Sequence, residues 1–261
     1  MALGVLARRA LKVAAMPASV MTRRRAGDLV VLLYHRVGKG GGEIELPSEV
    51  FEDHLAYLGE RELVVGLDEA LQGGASGGVV VTFDDGYADF AETVVPLLVK
   101  HSVPATLYLA TGLIGNGRVD GFRPLSWSQL EEAVSTGLVT VGAHTHTHAD
   151  LSEAGEPVCE EEMRRSKELI EDRLTRPCRH FAYPWAVSSS TADRVARRLF
   201  DSAAVGAWRT NRKGRLDPYR LGRTPVLRSD GRMFFRAKVR GLLDGEALFY
   251  RAARRGPWRR T

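Results

Sequence analysis

The chain has 261 residues, 44% of them hydrophobic, with 27 glycines and 11 prolines, enough for one large α/β domain of ordinary globular composition. Its net charge of +5 is unevenly placed: residues 1–27 carry six Lys/Arg and no acid, residues 232–261 carry nine against two, and residues 28–231 carry 22 against 30 Asp/Glu. The acidic body excludes a nucleic-acid partner, the two cysteines without CxxC spacing exclude a disulfide framework, and no apolar run approaches the ~18 residues of a membrane span.

The division read from charge is therefore a basic segment 1–27, a body 28–231 and a basic, helical tail 232–261. R-R-A-L-K near the start is similar to a twin-arginine export signal. Pro17 interrupts the apolar stretch that follows, and Arg23, Arg24 and Arg25 are wrong for a cleavage region. A cytoplasmic or peripheral-membrane location is expected in preference to export, with the basic N-terminal segment lying on an anionic surface. No protein partner is implied.

Within the body, Leu29–Tyr34 is a continuous apolar run, the mark of a strand buried on both faces. A helix is expected over Ser48–Glu60, capped by Ser48, then a strand at Leu63–Val65, a short helix at Asp68–Leu71 and a strand at Val79–Phe83. Helix Ala88–His101, strand Ala105–Ala110, helix Ser126–Thr136 and strand Leu138–Ala143 follow. Helix Glu160–Leu174, strand Arg179–Tyr183, helix Ser190–Leu199 capped by Ser190, strand Ser202–Val205 and a weaker strand at Thr224–Leu227 complete the series. So many strand–helix units argue for a parallel sheet closed into a barrel, whose reactive groups sit at the C-terminal strand ends. The polar residues at those ends are Tyr34 and His35, Asp84 and Asp85, Thr111, His144–His148, and Pro184 and Trp185. His54 and His101, on helices, read as surface residues.

V-V-V-T-F-D-D-G-Y ends a buried run with two adjacent carboxylates, which raise each other's proton affinity unless a positive group lies close. V-G-A-H-T-H-T-H supplies three alternate histidines. In a continued strand His144 and His148 would be about 13 Å apart, too far to share a metal, so the chain must turn after Ala143 if they are joint ligands. An i, i+4 pair then shares a face and His146 points away. Two histidines and one carboxylate suit Zn²⁺ or another divalent transition metal such as Co²⁺, Ni²⁺ or Mn²⁺, leaving the second carboxylate as a base.

T-F-D-D-G-Y together with H-T-H-T-H resembles the first two motifs of the polysaccharide deacetylase family, which shares the NodB homology domain and is also called carbohydrate esterase family 4. The resemblance runs in order from Val30 to about Leu227. It implies a distorted (β/α)7-type barrel and metal-dependent removal of acetyl groups from sugars. By position, Asp84 becomes the general base and Asp85, His144 and His148 the metal ligands.

F-A-Y-P-W (Phe181–Trp185) resembles the third motif, so the Trp185 N–H is expected to hold the oxyanion, and Tyr87, Tyr183 and Trp185 to contact sugar. The motif's usual arginine is Ala182 here and its closing glycine is Ala186. Arg223 is assigned to the substrate site and is the candidate to steady Asp84 in place of that arginine. L-L-Y-H-R-V resembles the opening of a circularly permuted branch, similar to exopolysaccharide N-deacetylases of the poly-N-acetylglucosamine type. That branch makes His35 the general acid, although Arg36 stands where an aspartate is frequent. The expected substrate is an acetylated amino-sugar polymer or lipid-linked glycan. The competing readings are a carbohydrate-binding protein without turnover and an aspartate-nucleophile phosphatase, which would leave the histidines idle.

Overall fold

Leu29–Tyr34 forms β1, every residue of it buried. In the computed structural model, which describes residues 24–61, 64–72, 77–115 and 121–244, six further parallel strands continue from it. They are β4 (Gly78–Asp85), β5 (Ala105–Leu109), β6 (Val139–Ala143), β7 (His180–Ala182), β8 (Ser202–Gly206) and β9 (Leu221–Pro225). They pair in chain order, and β9 returns to β1 through Val31–Arg223 and Leu33–Pro225, closing the barrel. A two-stranded ribbon, β2 (Arg36–Val37) with β3 (Glu45–Leu46), stands outside it.

Around the strands lie α1 (Ser48–Gly59), α2 (Leu67–Leu71), α3 (Val95–His101), α4 (Trp127–Ser135), α5 (Glu156–Leu174), α6 (Ser190–Leu199) and α7 (Gly231–Val239). Successive strand residues face opposite sides, and β4 shows the sorting. Val79, Val81 and Phe83 join the larger core cluster, where Phe83 lies 5.3 Å from Tyr34 and 5.6 Å from Phe51 of α1. Val80 faces the other way, into a cluster with Leu29, Val31, Tyr108, Ala182, Ala204 and Leu221. That second cluster fills the barrel. No helix among the described residues is long and apolar enough to cross a membrane.

Several boundaries differ from those expected. Helix α1 is entered through Pro47 without a side-chain cap, and Ser48 instead bonds the neighbouring Glu49. Ser189, not Ser190, caps α6 by accepting from the Ala192 N–H, while Ser126 caps α4 in a capping box with Gln129. Strand β9 begins at Leu221, three residues before the expected Thr224, since the Gly222 inside it masks the β pattern. Of Leu63–Val65, Val64 bridges Val79 and Leu63 lies outside the described residues. The boundary at residue 232 falls inside α7, which buries Phe235 and Val239 against the body, while Phe234 packs with Ala237 and Leu243. Its Lys238 donates to Asp230 (2.8 Å) and to the Pro225 carbonyl (2.7 Å) in full burial. Residues 1–23 and 245–261 lie outside the described residues.

His54 is not a surface residue. It is 2% exposed, its ring stacked 3.6 Å from Phe235 and its Nδ1 3.3 Å from the Tyr34 hydroxyl. Burial pushes its imidazole down to about 4, against the partial pull of Asp230 and Asp53. A folded-state value below the unfolded ~6.5 means the fold favours the neutral ring, a contribution complete above pH ~6.5 and lost as pH falls toward 4. Between those limits the wild type should lose about 3 kcal/mol of stability through this group. In His54→Phe, which keeps a ring on Phe235, denaturant titrations across that window should lack that loss; an unchanged acid slope would refute the assignment.

Candidate active site

The period-2 alternation of β4 that buries Val80 in the barrel also turns Asp84 inward. There it meets Arg223 of β9, which by the same alternation from Leu221 points into the barrel. Arg223 Nη1 and Nη2 donate to Asp84 Oδ1 and Oδ2 at 2.5 and 2.8 Å, with the guanidinium 5.2 Å from the Tyr108 ring and no exposed surface. Burial alone would raise the Asp84 carboxyl; the charges of Arg223 and His144 outweigh it and hold the group below the usual carboxylate range.

Asp85 would face the helices if the strand continued. Its φ of +75° turns it back to the rim, and Gly86 follows at +87°. That positive φ favours glycine, and a Cβ at 86 would also meet the side-chain ends of Leu109 and Leu125 at 2.5 and 2.9 Å. Two adjacent carboxylates thereby receive different surroundings.

The histidine segment turns as soon as β6 ends. Thr145 and His148 both adopt positive φ (61° and 62°), and the Thr145 hydroxyl accepts from the Ala149 N–H at 3.0 Å. From α5, Glu162 accepts the N–H groups of His146 and Thr147 and the Thr147 hydroxyl, each at 2.8 Å. His146 is directed to the Thr111 hydroxyl at 2.9 Å. His144 and His148 converge instead, their Nε2 atoms 3.5 and 3.2 Å from Asp85 Oδ1, and His144 Nε2 lies 3.7 Å from Asp84 Oδ2. Asp85, His144 and His148 each offer one ligand atom within 4.8 Å of the others.

The donor set fits a divalent cation. His144 Nδ1 donates to the Ala182 carbonyl at 2.7 Å, which leaves the Nε2 lone pair for a metal. Burial pushes the His144 imidazole down to about 4, opposed by Asp84 and Asp85. The Asp85 carboxyl, which burial would raise, is held well below its ordinary value by the His148 hydrogen bond and by the charges of His35 and His144. Neutral imidazole beside ionised carboxylate is the protonation state a cation requires.

Trp185 stands at the rim, 56% exposed, its ring 4.9 Å from that of His148, in a turn where Trp185 and Ala186 both have positive φ. Ala186 fits because residue 206 is glycine; a Cβ there would lie 2.1 Å from that of Ala186. The glycine missing from the third motif is thus compensated across the turn. His35, half-buried just beyond β1, acts electrostatically on both Asp84 and Asp85.

Three expected substrate contacts are corrected. Tyr183 is fully buried and packs edge-on against Phe181 at 4.9 Å. Tyr87 is 1% exposed, turned in beneath Phe122, whose ring is 6.2 Å away and 40% exposed. Arg223 is walled into the barrel under Asp84. Of the side chains that sequence reasoning missed, Glu162 lies fourteen residues from the nearest ligand on another element and leaves no local signal.

Residues 73–200 match the family model described as Polysaccharide deacetylase. YxkH of Bacillus subtilis (strain 168) is 26% identical over 170 residues, 61% of this chain and 57% of that protein. A poly-beta-1,6-N-acetyl-D-glucosamine N-deacetylase of Staphylococcus aureus (strain MRSA252) is 26% identical over 117 residues, 42% and 40% of the two chains. The chain thus spans about half the length of the curated relatives it matches. Among solved structures, IcaB from Ammonifex degensii superposes with a TM-score of 0.71 at 27% identity, over 83% of this chain and 97% of the other. The Streptococcus pyogenes deacetylase PplD in complex with acetate gives 0.74 at 22% identity, over 82% and 99%, a likeness of fold.

Glu162 holds the turn that carries His148, so Glu162→Gln should weaken Zn²⁺ binding by about 10- to 100-fold, the usual effect of removing a partner behind a ligand. Competition against a chelator of known affinity measures this without substrate. His146→Gln should bind as the wild type does; equal losses in the two variants would contradict the assignment of His146 outside the cluster.

Proposed function

We propose that the protein, whose residues 73–200 match the Polysaccharide deacetylase family model, is a metal-dependent carbohydrate deacetylase, releasing acetate from N-acetyl groups of an amino-sugar polymer. The observation that carries this reading is the convergence of Asp85, His144 and His148 beside an Asp84 held apart by Arg223. The name of the Staphylococcus aureus relative supports a poly-N-acetylglucosamine-like substrate class.

On this reading Asp85, His144 and His148 hold one divalent cation, Zn²⁺ in preference to Co²⁺, Ni²⁺ or Mn²⁺. Such a cation would polarise the acyl oxygen and acidify water, which is what lets a carboxylate as weakly basic as Asp84 take the proton. Asp84 removes that proton as the water oxygen bonds to the acetyl carbon. The Trp185 N–H donates to the developing oxyanion, with the Trp185 ring as a wall for sugar. His35 gives a proton to the departing nitrogen as the C–N bond breaks, leaving acetate and a free amine. Against the competing reading of a carbohydrate-binding protein without turnover, Arg223 pairs with Asp84 in place of the motif arginine absent at Ala182.

Asp84→Asn keeps the three proposed ligands and removes the base. Acetate release from N-acetylglucosamine oligomers should fall by a factor of about 10² to 10⁴ while stoichiometric Zn²⁺ remains. If the variant, folded by circular dichroism despite leaving Arg223 unpaired, loses the metal instead, the division of labour between Asp84 and Asp85 is wrong.

A further inference from the structure

The charge asymmetry of the sequence has a spatial counterpart at the barrel pole opposite the candidate active site. Strand β1 begins at Leu29, so Arg24 and Arg25 precede the barrel at its N-terminal end. The Arg24 N–H donates to the Arg240 carbonyl at 2.8 Å, where α7 ends. The two basic segments beyond the described body therefore depart from one place. Residues 1–23 hold four Lys/Arg and no acid, and residues 245–261 hold five arginines and one acid, Glu246.

The same pole gathers further cations. Arg61 follows α1, next to the Val64–Val79 bridge at the start of β4. Its guanidinium and that of Arg236 lie 4.1 and 4.9 Å from the centre of the Tyr57 ring. The segment after β8 returns here, with Asn211 bonded to Leu29 and the Lys213 N–H to Asp28. Arg25, Arg61, Lys213, Arg215 and Arg240 are all exposed. Of the acids at this pole, Asp28 is buried and paired with Arg212, Asp244 is hydrogen-bonded to Thr210 and 3.6 Å from Arg212, Asp68 lies 3.7 Å from Arg179, and Glu60, Glu69 and Asp201 are exposed, Glu60 3.5 Å from Arg61.

We propose that this pole is a docking surface for an anionic lipid bilayer. Residues 28–231 sum to −8, so the body as a whole is not drawn to such a surface, and at physiological ionic strength only cations within about 8 Å of it are attracted strongly. A lipid surface is favoured over a polyanion in solution because residues 1–23 interleave their cations with Leu3, Val5, Leu6, Leu11, Val13 and Met16, side chains that a bilayer interface accepts and a phosphate backbone does not. Asp85 and His144, at the C-terminal strand ends, then face away from the bilayer. On the deacetylase reading, this favours a polymer standing off the membrane over a glycan head group at its surface.

The test needs no substrate, so its outcome is independent of the proposed chemistry. The full chain is sedimented with vesicles of phosphatidylcholine alone and of phosphatidylcholine with phosphatidylglycerol. Binding is expected only to the anionic vesicles and should fall as salt is raised. Arg25→Glu/Arg61→Glu/Arg240→Glu should bind at least about tenfold more weakly, since each cation near an anionic leaflet is worth about a factor of five. Arg164→Glu/Arg194→Glu/Arg198→Glu, an equal charge change on α5 and α6, should bind as the wild type does, with circular dichroism reporting that both variants fold. Equal losses in both variants, binding to neutral vesicles, or binding to a short DNA duplex in preference to the anionic vesicles would each overturn the proposal. Should the first variant fail to fold, the wild-type comparison between the two vesicle types and its salt dependence decide it alone.

Discussion

The arrangement rests on a buried ion pair, Arg223 with Asp84, inside the barrel. Two charges taken out of water are tolerated only when their geometry is nearly complete, and here both guanidinium Nη atoms meet both carboxylate oxygens. Removing either partner would strand the other, a cost of about 3 to 5 kcal/mol in comparable pairs. The pair does more than fill the barrel. It keeps Asp84 ionised at the floor of the site and leaves Asp85 at the rim to interact with His144 and His148.

Around that pair, backbone conformation distributes the polar groups. Asp85, Thr145, His148, Trp185 and Ala186 all adopt positive φ without being glycine. Each such residue costs of order 1–3 kcal/mol, so the surroundings must hold it. They do so by named contacts: Gly86 lets Leu109 and Leu125 close over the first turn, Glu162 and the Thr145 hydroxyl bind the second, and Gly206 makes room for the third. Strands ending in tight turns bring residues far apart in sequence to within hydrogen-bond distance of one another, which regular secondary structure could not do.

This explains what could be read in advance and what could not. Continuous apolar runs located β1, β4, β5 and β6, because strands buried on both faces leave an unbroken pattern. The repeated strand–helix units pointed to a closed barrel and the family resemblance to its (β/α)7 form; the barrel has seven strands, the expected strand at Leu63–Val65 supplying only the Val64–Val79 bridge. Asp84, Asp85, His144 and His148 stood out because charged and ligating residues at the ends of such runs have no packing role. Tyr87 and Tyr183 were misplaced since an aromatic residue looks alike in a core and in a groove until its face is known. In the sequence His54 reads as a helix-surface residue because the late helix that covers it, α7, is set apart by its basic charge rather than by an apolar pattern. Arg223 was legible as the candidate to steady Asp84, and its burial inside the barrel, away from substrate, follows from its period-2 relation to Leu221 once β9 starts there. Glu162 had no such signature.

The overall charge pattern and the site belong to one polarity of the barrel. Cations collect where the strands begin, and the carboxylate–histidine cluster lies where they end. The central claim concerns that cluster: Asp85, His144 and His148 hold a cation on which acetate release depends. Metal content and acetate release from N-acetylglucosamine oligomers, measured on one preparation as isolated, after chelation and after Zn²⁺ is returned, test it most directly. The account predicts that both fall together and return together at one Zn²⁺ per chain, and that neither returns in His148→Ala. Full acetate release from the metal-free protein would contradict it.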